Sequence, residues 1–464
     1  MKSAGGWLVG LLISAVFIGC ISSSNEDGVA QDSNGLEHSG AVQHVSWLDQ
    51  SAVYEVNIRQ YTREGTFRAF AEHLPRLKKM GIKILWLMPV TPISKTDRKG
   101  TLGSYYAVAD YRSINPEFGT MDDFKWLVKQ AHSQGFKVVT DWVANHTGAD
   151  HPWLNNHRNF YMLDSSGGAK YAFDWSDTRE LNYDVREVRD SMIASMKYWI
   201  SETDIDGFRC DVAGEVPDDF WEECIIELRR MKEIFMLAEG DRPTLINAGF
   251  DACYPWQVFQ MMKKVAAGER PATSLDTVLA SQDSSFPKGA LQLYFTSNHD
   301  ENSWNKADYG IFPGDAHAPF AIFTQTMKHA LPLIYSGQEE PVLRKIEFFE
   351  KDTMGFRNYK RALFYKTLLD LRAQSKALLE PDADFIRINA GDPHTVYSYI
   401  RQNGSEKLLV MLNFSGKEEP VILTEASIIG PVTNVFNNEK NDLKPGTQFN
   451  LEPWGYRVFR YIKQ

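Results

Sequence analysis

From residue 51 onward the chain repeats one pattern. Short apolar runs, rich in β-branched residues, alternate with longer stretches whose apolar positions recur every three or four residues. The first kind predicts strands and the second amphipathic helices. Residues 52–58 read as a strand. Residues 67–80 read as a helix with Phe67, Phe70, Leu74 and Leu77 on one face. A strand at 84–88, a helix at 124–134 and a strand at 138–142 follow, and further strands fall at 207–211, 235–239, 294–297 and 333–335. Seven strands are clear, and an eighth near 250–254 is needed to close a barrel. Apolar strands separated by helices indicate a parallel sheet covered on both faces. No glycine-rich nucleotide loop follows the first strand, which argues against a doubly wound open sheet. The predicted fold is therefore α/β, a (β/α)8 TIM barrel.

Two regions break the alternation. Residues 146–182 carry many Asn, His and Asp but no clear helix, and predict a small subdomain inserted over the rim. Long loops inside compact domains are usually functional. Beyond Leu379 the helical pattern stops, and short runs at 385–388, 396–401, 407–414, 419–423 and 455–461 predict an antiparallel β-sandwich domain. The expected division is a signal peptide over 1–19, a polar tether over 20–45, a barrel over 46–380 and a β-domain over 381–464.

The N-terminal expectation rests on Lys2, the apolar stretch 7–18 and the Gly19-Cys20 pair, followed by Ser22, Ser23 and Ser24. This resembles a bacterial lipoprotein signal, in which Cys20 would be acylated. It implies a lipid-anchored protein of the cell envelope. Three cysteines then remain, Cys210, Cys224 and Cys253, an odd count that makes no disulfide framework. The formal net charge of −10 argues against a nucleic-acid partner. Nothing in the sequence sets an oligomeric state.

Catalytic groups of such barrels sit at the C-terminal ends of different strands. Polar residues ending the predicted strands are Asp141, Asn145 and His146 in DWVANH, Arg209 and Asp211 in GFRCDVA, Glu239 in LAEGD, and Asn298, His299 and Asp300 in TSNHDEN. Each alone reads equally well as a cap or a surface group. Together they place several carboxylates and two histidines on one rim. Close-spaced His or Cys pairs of zinc type are missing, so a metal centre explains the cluster less well. Arg209 and Asp211 are two apart and share a face, and a neighbouring guanidinium would favour an ionised Asp211. Glu239 follows an apolar run, and a less polar setting would keep it protonated.

These four segments resemble, in order, the signature regions of the α-amylase family of retaining glycoside hydrolases. GIKILWLMPVTP (residues 81–92), SYYAVADYRSINPEFGT (104–120) and LPLIYSGQE (331–339) are similar to its other landmarks. The resemblance implies Asp211 as nucleophile, Glu239 as general acid/base and Asp300 as the third carboxylate. It implies Tyr106, His146, Arg209 and His299 as residues that bind the sugar at the cleavage point. No cofactor is required. Asn145 matches one ligand of the calcium ion many members hold, but Gly214-Glu215 stands where a second ligand is usual, so calcium is not supported. DVAGEV and RELNYDVREVRDSM resemble the neopullulanase and cyclomaltodextrinase branch. The implied substrate is an α-1,4-glucan or maltooligosaccharide. The short insert suggests an open cleft and endo-cleavage, with α-glucosidase, cyclomaltodextrinase-type or transglycosylase action as alternatives. A non-catalytic interaction protein is disfavoured by the presence of all three carboxylates.

If Cys20 is the lipid anchor, Cys20→Ser moves the protein from the membrane pellet to the soluble fraction. Identical partitioning of mutant and wild type would end that expectation.

Overall fold

The computed structural model describes residues 42, 44–48 and 52–462. The expected signal peptide, Cys20 and most of the tether lie outside the described residues.

Eight strands close into a barrel: β1 (Val53–Val56), β2 (Ile84–Leu87), β3 (Lys137–Val143), β4 (Gly207–Asp211), β5 (Phe235–Ala238), β6 (Ala252–Cys253), β7 (Leu291–Tyr294) and β8 (Ala330–Tyr335). Each pairs in parallel with its sequence neighbours, and β8 returns to β1 with Val53 opposite Leu333. The weakly signalled eighth strand is real but only two residues long. The strand expected at 294–297 is displaced to Leu291–Tyr294. Its last pairing sets Tyr294 against Pro332, which has no N–H to extend the ladder.

Other departures have equally local causes. β1 stops at Val56 because Asn57 caps a helical turn, its side chain accepting from Gln60 N. The helix expected over 67–80 is two, Phe67–Ala71 and Leu74–Met80, with Pro75 in the first turn of the second and Gly81 closing it at φ 105°. Helix Met121–Ser133 begins three residues before its apolar stripe because Thr120 and Asp123 form a reciprocal capping box.

Alternation along the barrel strands sorts the side chains. Tyr54, Leu85, Val138, Phe208 and Met236 join the core beneath the surrounding helices. Val53, Ile84, Val139 and Phe235 belong to a second core, on the inward parity, at the N-terminal half of the strands. Two residues further on, the same inward parity carries Glu55, Trp86, Asp141 and Arg209. The interior thus turns from apolar to polar along the strands. Gly207 permits this close packing, since a Cβ there would lie 2.3 Å from the Phe235 carbonyl oxygen.

The inserted segment folds as an antiparallel ladder, His146–Gly148 against Thr178–Glu180, with a short helix Pro152–Asn156 between them. C-terminal to the barrel, β9 (Asp384–Ile388), β10 (Val396–Asn403), β11 (Glu406–Asn413), β12 (Glu419–Leu423), β13 (Gly430–Asn434), β14 (Lys440–Leu443), β15 (Thr447–Leu451) and β16 (Tyr456–Tyr461) form a six-stranded antiparallel sheet, β9-β10-β11-β16-β13-β14, beside the pair β12-β15. β13, β14 and β15 were invisible in the sequence pattern because Val432, Leu443 and Leu451 are their only buried apolar residues. The sheet docks on helix His317–Thr326, buried everywhere except Ala318, with Phe320 stacked on Phe414 at 4.3 Å. Such an all-round apolar helix requires partners on every side. Cys210, Cys224 and Cys253 are free and buried. Among the described residues no helix is long and apolar enough to cross a membrane.

Gly207→Ala is expected to destabilise the barrel by about 1–3 kcal/mol through overpacking. A urea midpoint equal to wild type would show that the β4–β5 contact relaxes freely.

Candidate active site

The polar end of the barrel is organised by Arg209. Its side chain is fully buried, and its Nη1 donates to Asp141 Oδ1 at 3.0 Å and Asp211 Oδ1 at 2.9 Å. Nη2 lies 2.9 Å from Glu239 Oε2, an ion contact without hydrogen-bond geometry. Nε donates to the Tyr254 hydroxyl, and the guanidinium lies 5.0 Å from the centre of the Trp86 ring. Strand register produces this convergence. Asp141 on β3 is the direct neighbour of Arg209, Asp211 follows two residues up the same face, and Glu239 directly follows β5.

A second network meets the first at Asp141. The Tyr106 hydroxyl donates to Asp141 Oδ2 at 3.1 Å and lies 2.7 Å from His299 Nε2. His299 Nε2 also faces Asp300 Oδ2 at 3.2 Å, and its Nδ1 contacts Glu55 Oε1 at 2.5 Å. Burial alone would push the His299 imidazole down, but Asp300 and Glu55 outweigh it and hold the ring well above its usual range. The reciprocal effect acts on Asp300. Burial raises its carboxyl, and the His299 cation more than reverses this, keeping it low and ionised. His146 behaves oppositely. Burial depresses it to about 3, so it stays neutral, and its Nε2 has no hydrogen-bond partner.

One expectation about charge and one about setting are corrected. Arg209 does contact Asp211 as anticipated, yet burial, followed by repulsion from Glu239, pushes the Asp211 carboxyl well above the usual carboxylate range. Glu239 does not sit in an apolar setting. Its Oε2 faces Arg209 and accepts the Val212 N–H at 2.8 Å.

Tyr106, His146, Asp211, Glu239 and Asp300 line a cavity of about 570 Å³. Arg209 and His299 lie directly behind that lining. Sequence reasoning missed further wall residues: Lys99, Trp175, Asp177, Trp304, Phe348 and Phe349. It also missed Glu55, although an acid inside the apolar run VYEV was a legible signal for a group aimed into the barrel. Val212, next to Asp211, has φ 37° and ψ 43°, a left-handed conformation unusual for a β-branched residue.

Asn145 is the one residue matched to a calcium ligand. Its side-chain nitrogen faces His146 Nδ1 at 3.3 Å, Glu215 is exposed, and among the described residues no three His, Cys, Asp or Glu side chains cluster as a metal site.

A family model described as the α-amylase catalytic domain matches residues 22–175 and 170–243. The α-amylase MalA of Haloarcula japonica is 27% identical over 396 residues, covering 81% of this chain and 57% of the relative. The cyclomaltodextrinase of Geobacillus thermopakistaniensis is 25% identical, covering 85% and 70%. The chain thus spans little more than half of the first relative's length. The crystal structure of a noncanonic maltogenic α-amylase from Thermotoga neapolitana superposes with a TM-score of 0.81 at 28% identity, covering 89% of this chain and 99% of that one. Over residues 22–243 the chain is similar to the α-amylase catalytic domain, and its fold is that of the maltogenic α-amylase.

Because Gly214-Glu215 stands where a second calcium ligand is usual, chelation is expected to leave the melting temperature unchanged. A fall with EDTA that calcium specifically reverses would reveal ligand-linked stabilisation.

Proposed function

We propose that the protein is a retaining glycoside hydrolase that cleaves α-1,4-glucosidic bonds in starch-type glucans or maltooligosaccharides. The observation that carries this reading is the pair Asp211 and Glu239, each 2.9 Å from a different nitrogen of the buried Arg209 guanidinium and both lining one cavity. In this reading Asp211 Oδ attacks the anomeric carbon and forms a glycosyl ester while Glu239 gives its proton to the departing oxygen. Glu239 then takes a proton from water as water breaks the ester. The chemistry needs a proton on Glu239 and an ionised Asp211, and the Arg209 guanidinium, 2.9 Å from Asp211 Oδ1, opposes the burial that raises the Asp211 carboxyl.

The remaining groups fit a sugar at the cleavage point. Tyr106 offers an aromatic ring to the cavity, its plane set by stacking on His299 and Phe348. The unpartnered His146 Nε2 can serve a sugar hydroxyl. Asp300, held ionised by His299, is an acceptor for two more. All three carboxylates are present, which favours catalysis over a purely binding role. The names of the relatives, α-amylase and cyclomaltodextrinase, support an α-glucan substrate. We place the enzyme at the cell envelope through an acylated Cys20, on the strength of the sequence around that residue.

Glu239→Gln should lower kcat on soluble glucan on the order of a hundred- to ten-thousand-fold. An α-glucosyl fluoride, whose leaving group needs no proton, should suffer far less. Equal losses on both substrates would remove Glu239 from the acid role.

A further inference from the structure

The loop after β2 is fastened at both ends across the mouth of the cavity. Towards the insert, Lys95 N and Thr96 N donate to Asp150 Oδ2, and Arg179 pairs with Asp97 at 2.6 Å. Towards the loop after β8, Thr101 N donates to Glu350 Oε1 at 2.9 Å and Leu102 N to the Phe349 carbonyl at 3.0 Å. Between these fastenings Lys99 Nζ meets Asp177 Oδ1 at 3.0 Å, and both residues line the cavity. Asp177 is only 2% exposed, so one end of this ion pair is fixed inside the wall. The pair joins the β2 loop to the insert, and the Leu102–Phe349 bond joins the same loop to the β8 side. The wall is therefore continuous past Tyr106.

Glu239 follows β5, three strands round the rim from the β2 loop. A general acid stands beside the departing oxygen, so the leaving part of the chain extends on the Glu239 side. The retained part, towards the non-reducing end, extends on the side that the strap closes.

Resting on the hydrolase reading above, we infer that the Lys99–Asp177 pair is an end-stop for the non-reducing end of the glucan, making the enzyme an exo-acting one that releases a short fragment of fixed length. The expectation of an open cleft came from the length of the insert alone. The strap supplies a closure which that length did not reveal. Lys99 and Asp177 are specificity-determining residues: they set how many sugars fit before the cleavage point and take no part in bond breaking.

The test uses the whole enzyme and a maltoheptaoside either free or capped at its non-reducing end, with products separated by chromatography. Wild type should cut the free chain at least about tenfold faster than the capped one, the scale of discrimination a small steric difference commonly gives. Its earliest products should be one short size. Lys99→Ala, and separately the shape-conserving Asp177→Asn, should lengthen the released fragment and narrow the ratio between capped and free substrates. Both readouts are ratios within one preparation, so partial misfolding does not mimic them. Equal wild-type cleavage of capped and free chains overturns the end-stop. So do unchanged fragment lengths in both variants. Failure of wild type to cut either chain would instead retire the hydrolase reading, and this inference with it.

Discussion

Arg209 is buried with its charge, and a guanidinium so placed costs several kcal/mol unless negative charge surrounds it closely. Asp141, Asp211 and Glu239 do so at 2.9–3.0 Å. Each carboxylate is in turn costly to bury without the guanidinium. This mutual dependence fixes the spacing of β3, β4 and β5 at their C-terminal ends. It fixes the Tyr106 hydroxyl through Asp141, and through Tyr106 the His299–Asp300–Glu55 network. Removing the guanidinium would leave like charges facing one another across the barrel mouth.

The apolar end of the barrel makes that arrangement affordable in steric terms. Val53, Ile84, Val139 and Phe235 fill the N-terminal half, and Gly207 lets β4 approach the β5 backbone closely enough for Arg209, two residues on, to sit between Asp141 and Leu237. The helix His317–Thr326, enclosed between barrel and C-terminal sheet, gives the two parts a common core. The second domain is thus packed against the scaffold that holds the site.

Much of this was legible in the sequence, for identifiable reasons. β4 was bounded correctly because its apolar run ends in charged residues that face one way. Arg209, Asp211 and Glu239 were placed on the rim because each ends or directly follows a strand, and His299 and Asp300 because the expected strand reached Ser297, although they open the helix His299–Asn305. β7 was misplaced because Phe295 to Ser297 look strand-like, and only the pairing with Pro332 shows where the ladder ends. Lys99 and Asp177 escaped notice because they lie in irregular loops, distant in sequence, and nothing local signals that they meet. The direction of the Asp211 shift was misjudged for a related reason. Proximity of Arg209 to Asp211 follows from two-residue spacing, whereas the burial and the Glu239 repulsion that overcome it depend on the closed barrel.

Val212 holds a backbone conformation that costs a β-branched residue about 1–3 kcal/mol, and its N–H is the group that orients Glu239. Backbone relaxation and the hold on Glu239 are therefore opposed at this one position. Selection for heat resistance alone would favour a glycine there, which adopts the conformation without penalty, while a looser backbone would hold the Glu239 carboxylate less firmly. A lineage that retains valine accepts a less stable fold in exchange for a more firmly held Glu239, and adaptation to higher temperature would have to find its gains elsewhere in the chain.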